Sequence, residues 1–196
     1  MRYFLRLAYF GTPFHGWQIQ PNAPSVQQVL NEALSTLFQQ KVNIVGAGRT
    51  DTGVHAKEMY AHFNLEHPAK DTPLALNRLN KMVGWPIAVN ELFAVADDAH
   101  ARFDATSRSY EYHLHRVKNP FLKDRSTYVG YPLNSAAMQE ATQLLVGERD
   151  YTAFSKTHTQ THTNICNISH AAWELDGQQW VFKITANRFL RNMVRA

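Results

Sequence analysis

The residues best suited to chemistry are gathered in Gly48-Arg49-Thr50-Asp51-Thr52-Gly53-Val54-His55. One carboxylate, one guanidinium and one imidazole stand between glycines. Alternating runs flank them: Val42 to Val45 on one side, and Met59, Ala61, Phe63 and Leu65 on the other. Glycines let the backbone take positive φ and let a bulky ligand come close. A loop held by two strands is a usual place for function. An ionised Asp51 can act as a nucleophile and covalent partner. A buried carboxylate of that kind needs a cation or hydrogen-bond donors to stay charged, and Arg49 is the nearest candidate. The competing reading is a long hairpin connection carrying a solvated Arg–Asp pair.

A second constellation is Ala101-Arg102-Phe103-Asp104-Ala105-Thr106-Ser107-Arg108-Ser109-Tyr110-Glu111-Tyr112. An aromatic ring can stack an extruded pyrimidine, and a phenol can carry a proton. Tyr110 and Tyr112 fall on one strand face, so one ring can be core, and that role is assigned to Tyr112. Arg102 and Arg108 suit phosphate contacts, with a solvated surface as the alternative. His158 and His162 have the spacing of helical metal ligands, but they lie in a polar run, Lys156 to Thr163. With no cysteine or acid to complete a site, no metal is expected there, and a loop touching RNA is the more natural use. His113 and His115 alternate on a strand and read as structural.

The loop's pattern, Gly-Arg-Thr-Asp-x-Gly-Val-His, resembles the active-site loop of the tRNA pseudouridine synthase A family. Three further stretches carry the same resemblance. Tyr9 to Gln20 follows Tyr-x-Gly-Thr-x-Phe-x-Gly-Trp-Gln-x-Gln, although Phe10 stands where an aspartate is more usual. Residues 101–112 follow Ala-Arg-Phe-x-Ala-x-x-Arg-x-Tyr-x-Tyr, and Asn187 to Ala196 matches the C-terminal motif. The resemblance implies Asp51 as the catalytic nucleophile, Tyr110 as the residue binding the target base, and Arg195 as a basic residue beside the aspartate. It further implies a tRNA substrate, modified in the anticodon arm just 3′ of the anticodon at positions 38, 39 or 40, and a homodimer with RNA lying across both subunits.

The elements that must position these residues follow from periodicity. Arg2 to Phe10 alternates as a strand. Ser25 caps a helix with an apolar stripe of Val26, Val29, Leu30, Ala33, Leu34, Leu37 and Phe38, and Gln28 completes a capping box. Gln27, Asn31, Glu32 and Ser35 form its polar face. Thr72-Pro73 opens a second helix, ended by Gly84-Trp85-Pro86, and a strand follows from Ile87 to Val95. Strand, helix, strand, strand, helix, strand is the split βαβ, ferredoxin-like order. From residue 97 the order starts again: a strand over 107–117, a helix over 135–146, a loop over 148–164, a hairpin turning at Asp176-Gly177, and a helix beginning near Phe189. The expected fold is therefore α+β, with two ferredoxin-like (RNP-like) halves, 1–96 and 97–196. Their antiparallel sheets are expected to meet at a central cleft near Asp51, and the second half is expected to be truncated before its final strand. Trp17 reads as a core plug.

Composition sets the outer limits. The chain has 196 residues, 44% of them hydrophobic and 18% charged, which is a globular rather than a disordered balance. A net charge of +4 with 12% aromatics fits a polyanionic partner. The single cysteine, Cys166, precludes an internal disulfide and reads as a small core side chain, consistent with a cytoplasmic setting. No apolar run is long enough to span a membrane.

Three functions compete. One is an RNA-modifying isomerase. The second is a non-catalytic RNA-binding module on the same scaffold. The third is a metal-dependent phosphoesterase using Asp51, His55 and His62. A binding module has no need of a carboxylate that repels phosphate, and a hydrolase would need more acids than Glu58 nearby. The isomerase is the expected function. Moving uracil from its N1 to its C5 linkage involves no redox change and consumes no water, so no cofactor is required.

Overall fold

The computed structural model describes residues 1–155 and 163–195. It divides into two compact units, Met1–Ala105 and Thr106–Ala196. The first unit runs β1 (Arg2–Tyr9), α1 (Val26–Phe38), β2 (Val45–Gly46), β3 (Ala56–Asn64), α2 (Thr72–Val83) and β4 (Ile87–Val95). Its sheet has the order β2-β3-β1-β4 and is antiparallel throughout, the ferredoxin-like arrangement.

Strand β1 is central because every second residue is apolar: Tyr3, Leu5, Leu7 and Tyr9 are buried, while Arg2, Phe4, Arg6 and Ala8 face the other way. On the buried side lie Val26, Leu30, Ala33 and Leu34 of α1 and Ala75, Leu79 and Val83 of α2. Trp17 joins this core and is only 3% exposed. On the opposite face Arg6 bridges Glu58 at 3.3 Å and Glu91 at 2.5 Å, tying β3, β1 and β4 together across the sheet.

Helix α1 starts as its sequence suggests, with the Ser25 hydroxyl accepting from the Gln28 N–H at 3.2 Å. Only half of the expected capping box forms, because the Gln28 side chain donates to Glu32 instead. Its polar face also has a different use from the one expected. Ser35 and Asn31 accept the N–H groups of Val42 and Ile44, and Gln27 donates to the Ile44 carbonyl. These side chains satisfy the backbone of 42–44, which consequently stays out of the sheet. The strand expected there is reduced to β2, which pairs with β3 only at Val45 and Gly46. In α2 the cap is Asp71, whose carboxylate accepts from the Leu74 N–H at 2.8 Å.

The second unit contains β5 (Arg108–His115), β6 (Thr127–Tyr128), α3 (Ser135–Gln143), β7 (Gly147–Asp150), β8 (Ile165–Asp176) and β9 (Gln179–Ala186), in the sheet order β6-β5-β9-β8-β7. The run β5-β9-β8 repeats the β1-β3-β2 relation of the first unit. Three details differ from expectation. Strand β7 occupies 147–150, overlapping the start of the 148–164 stretch read as loop, and pairs with Ile165–Ile168 of β8. The two-residue β6 lies parallel to β5, an exception to the antiparallel plan. Residues 190–195 form hydrogen-bonded turns rather than a helix, because Asn192 takes φ 70°, a left-handed conformation that asparagine tolerates and an α-helix does not. The core of this unit is Tyr151, Cys166, Ile168, Ala171, Ile184, Ala186, Leu190 and Met193. Cys166 is fully buried, as expected, and burial pushes its thiol pKa up.

Candidate active site

The loop from Gly48 to His55 is held from beneath by the segment that ends β1 and leads into α1. The Trp17 N–H donates to the Thr50 carbonyl at 3.1 Å, and the Tyr9 hydroxyl meets the Thr50 hydroxyl at 2.9 Å. Gly53 N–H donates to the Phe14 carbonyl at 3.3 Å. The Gly11 N–H donates to His55 Nδ1 at 2.8 Å, and the Phe10 ring stacks on the same imidazole with centroids 4.4 Å apart. Within the loop, Val54 N–H returns to the Asp51 carbonyl at 3.2 Å.

Close approach explains Gly11, Gly16 and Gly46, whereas Gly53 is required by its φ of 78° and Gly48 faces open space. Gly16 has φ 87°, and a side chain there would overlap the Thr50 carbonyl. At Gly11 it would overlap the Val54 carbonyl, and at Gly46 it would press on the Trp17 indole at 2.6 Å. The Tyr9–Trp17 motif and the Gly48–His55 motif are two sides of one packed contact. Sequence alone marks both motifs, yet it leaves unsaid that Tyr9, Gly11, Gly16 and Trp17 exist to seat Thr50 and His55.

With Thr50 turned inward, its neighbours Arg49 and Asp51 are exposed. This corrects the expectation of a buried carboxylate: the loop spends its inward position on Thr50. His55 and His62, considered as metal ligands, have other uses. His55 Nδ1 takes the Gly11 N–H. His62 is 4% exposed, stacked on Phe4, edge-on to His100, and its Nδ1 accepts the Ala101 N–H at 3.2 Å. Burial, with the charge of His100 second, lowers the His62 pKa to about 4. Among the described residues no three His, Cys, Asp or Glu side chains gather as a metal site; His158 and His162 lie outside the described residues.

Residues 100–104 form a tight turn in the first unit. The Asp104 carboxylate accepts the His100 N–H at 2.7 Å, and His100 Nδ1 accepts the N–H groups of Arg102 and Phe103. Arg102 is exposed, with its guanidinium 5.8 Å from the centre of the Phe103 ring. His100 and Asp104 were not marked by spacing alone, since each looks like an isolated polar residue in the sequence.

In the second unit, the half-buried Tyr110 meets Phe189 edge to face with centroids 5.2 Å apart. Arg108 donates to the Asn187 carbonyl at 2.9 Å. The C-terminal motif is thus brought onto β5 beside Tyr110, while Arg195 is exposed at the end of the turn. Tyr112, assigned to the core by its sequence, is 48% exposed, and its hydroxyl donates to Thr127 at 2.9 Å. His115 is structural as expected: it is buried and bonded through Nδ1 to the Ser126 hydroxyl at 2.9 Å.

Comparison with known proteins decides the family. A family profile described as tRNA pseudouridine synthase matches residues 141–196. A tRNA pseudouridine synthase A from Parabacteroides distasonis is 50% identical over 195 residues, covering 100% of this chain and 77% of the relative. The chain belongs to the tRNA pseudouridine synthase A family. A member from Porphyromonas gingivalis is 51% identical over 199 residues, covering 100% of this chain and 79% of its own length. A more distant one, from Colwellia psychrerythraea, is 38% identical over 197 residues, covering 100% of this chain and 76% of its own length. The chain therefore spans about three quarters of the length of these relatives.

Proposed function

We propose that this chain is a tRNA pseudouridine synthase, an isomerase that converts uridine to its C5-linked isomer in tRNA. Identity of about half the residues to relatives of that name, over the whole chain, supports the reaction. The observation that carries the site assignment is the Gly48–His55 loop itself: Thr50 and His55 are pinned to the Tyr9–Trp17 segment while Asp51 is left on the open side.

In this reading the Asp51 carboxylate is the nucleophile and forms a covalent adduct with the target nucleotide. The N1–C1′ bond breaks, the uracil turns, and a C5–C1′ bond forms. C5 then gives up its hydrogen, N1 takes a proton and the bond to Asp51 breaks, which restores the carboxylate and leaves a product with the composition of the substrate. The Tyr110 ring stacks the extruded base, and its hydroxyl serves proton transfer. Arg49 and Arg195 act beside Asp51, and Arg102 and Arg108 contact phosphates. The enzyme works in the cytoplasm as a homodimer on the anticodon arm, without cofactor or metal. Among the described residues no helix is long and apolar enough to cross a membrane.

Incubation with an unmodified tRNA transcript, followed by chemical mapping of pseudouridine, tests the function. New pseudouridine just 3′ of the anticodon is the expected result. An unchanged transcript, or modification confined to another arm, would contradict it.

A further inference from the structure

The turn joining α2 to β4 carries a feature that the fold does not use. Trp85 is 98% exposed, far more than any other large hydrophobic side chain among the described residues. A bare indole forgoes the stabilisation that burying so large a ring would bring. It is also presented on a constrained backbone, since Gly84 has φ 72° and Pro86 fixes its own φ. The Pro86 carbonyl accepts the Phe10 N–H at 2.8 Å, so the turn is fastened to the end of β1. Phe10, itself 40% exposed, is the ring that stacks on His55 of the Gly48–His55 loop. The Trp85 turn and that loop therefore lie at the same end of the first unit's sheet, joined through Phe10. Along the chain the turn stands in an acid-free stretch: no Asp or Glu lies between Asp71 and Glu91, whereas Arg78 and Lys81 do.

We propose that Trp85 is a stacking platform for an unpaired base of the substrate RNA, outside the base that reacts. This rests on the reading of the chain as a tRNA-modifying enzyme and adds a binding position to it. An exposed aromatic face in an acid-free stretch of chain that carries cations suits single-stranded nucleic acid held without sequence readout. A partner protein would gain from the same indole, but the two cations of that stretch and the net charge of +4 favour a polyanion.

The test uses the full chain and an unmodified tRNA transcript. Trp85→Ala should weaken equilibrium binding about tenfold, within the range that one lost base–aromatic stack produces. The single-turnover rate at saturating enzyme should stay unchanged. Trp85→Phe, which keeps a ring, should lose less. Trp85 is unburied, so both variants should keep the wild-type circular dichroism. Tryptophan emission of the wild type should be quenched by RNA, and most of that quenching should vanish in Trp85→Phe. If Trp85→Ala binds and isomerises tRNA like an active wild type, the platform is refuted while the enzyme assignment stands. If the variant sediments as a smaller species than the wild type with unchanged RNA affinity, the ring belongs to a contact between copies, and the proposal is again refuted. A wild-type chain that neither binds nor modifies tRNA would overturn both readings.

Discussion

The two units share one strand relation, β1-β3-β2 and β5-β9-β8, and differ in how well it is closed. In the first, β1 lies between β3 and the nine-residue β4, two helices cover one face, and twenty-one hydrophobic residues form the buried core. In the second, β5 lies between β9 and a two-residue β6, and the buried core among the described residues numbers eight. Tyr112, Phe121, Tyr128 and Tyr131 remain exposed there. The same strand relation thus covers cores of very different size in the two units. The division also suits function, because a loop whose geometry must be fixed rests on the well-packed unit.

Core deletions should show the difference most strongly. Leu5→Ala, in the middle of β1, should cost the first unit about 4 kcal/mol, read as a shift in urea midpoint. Ile184→Ala, in the buried core of the second unit on β9, should cost about 2 kcal/mol, because a thinner core collapses more easily around the gap. Equal losses would mean that the two cores are equivalent despite their difference in size.

Acid should act selectively on the first unit through His62. Its folded pKa, about 4, is below the ordinary histidine value of 6.5, so the unfolded chain takes the proton first. The stability contributed by neutral His62 is complete above pH 6.5 and is lost as pH falls towards 4, a difference of about 3 kcal/mol. His62→Gln, which retains an acceptor for the Ala101 N–H, should flatten that dependence in urea titrations between pH 7 and pH 4. An unaltered slope would assign the acid sensitivity to other groups.

Helix caps should give the smallest effects. Ser25→Ala removes a fully buried cap and should cost about 1 kcal/mol. Asn134→Ala, at the exposed start of α3, should cost about 0.5 kcal/mol. Thermal denaturation with the reverse ranking would contradict the picture of a tighter first unit.

Much of this was legible in the sequence, unevenly. Alternation located β1 and β4, whose buried residues lie on one face, and also β3 and β5, although His62 and His115 are buried beside their apolar neighbours, and the stripe from Val26 to Phe38 located α1. Segment 42–44 was misread because Val42 and Ile44 do alternate and are buried, but their backbone bonds go to Gln27, Asn31 and Ser35 rather than to a strand. Strand β7 was missed because Gly147-Glu148-Arg149-Asp150 is polar and forms only by pairing with β8. Motif order alone revealed Asp51 as the candidate nucleophile. Its exposure was not revealed, because that follows from Thr50 taking the inward position. The seating of the loop on Gly11, Gly16 and Trp17 depends on contacts some thirty to forty residues apart in sequence, which no local pattern encodes.

Asp51, on the open side of a loop seated by Tyr9–Trp17, is the proposed nucleophile. Asp51→Asn keeps the size of the side chain and removes its charge. The direct measurement is release of tritium from C5 of labelled uridine in tRNA, since isomerisation must displace that hydrogen. Wild-type chain should release it, and Asp51→Asn should release none above background while still binding tRNA. Undiminished release by Asp51→Asn would contradict the assignment of Asp51.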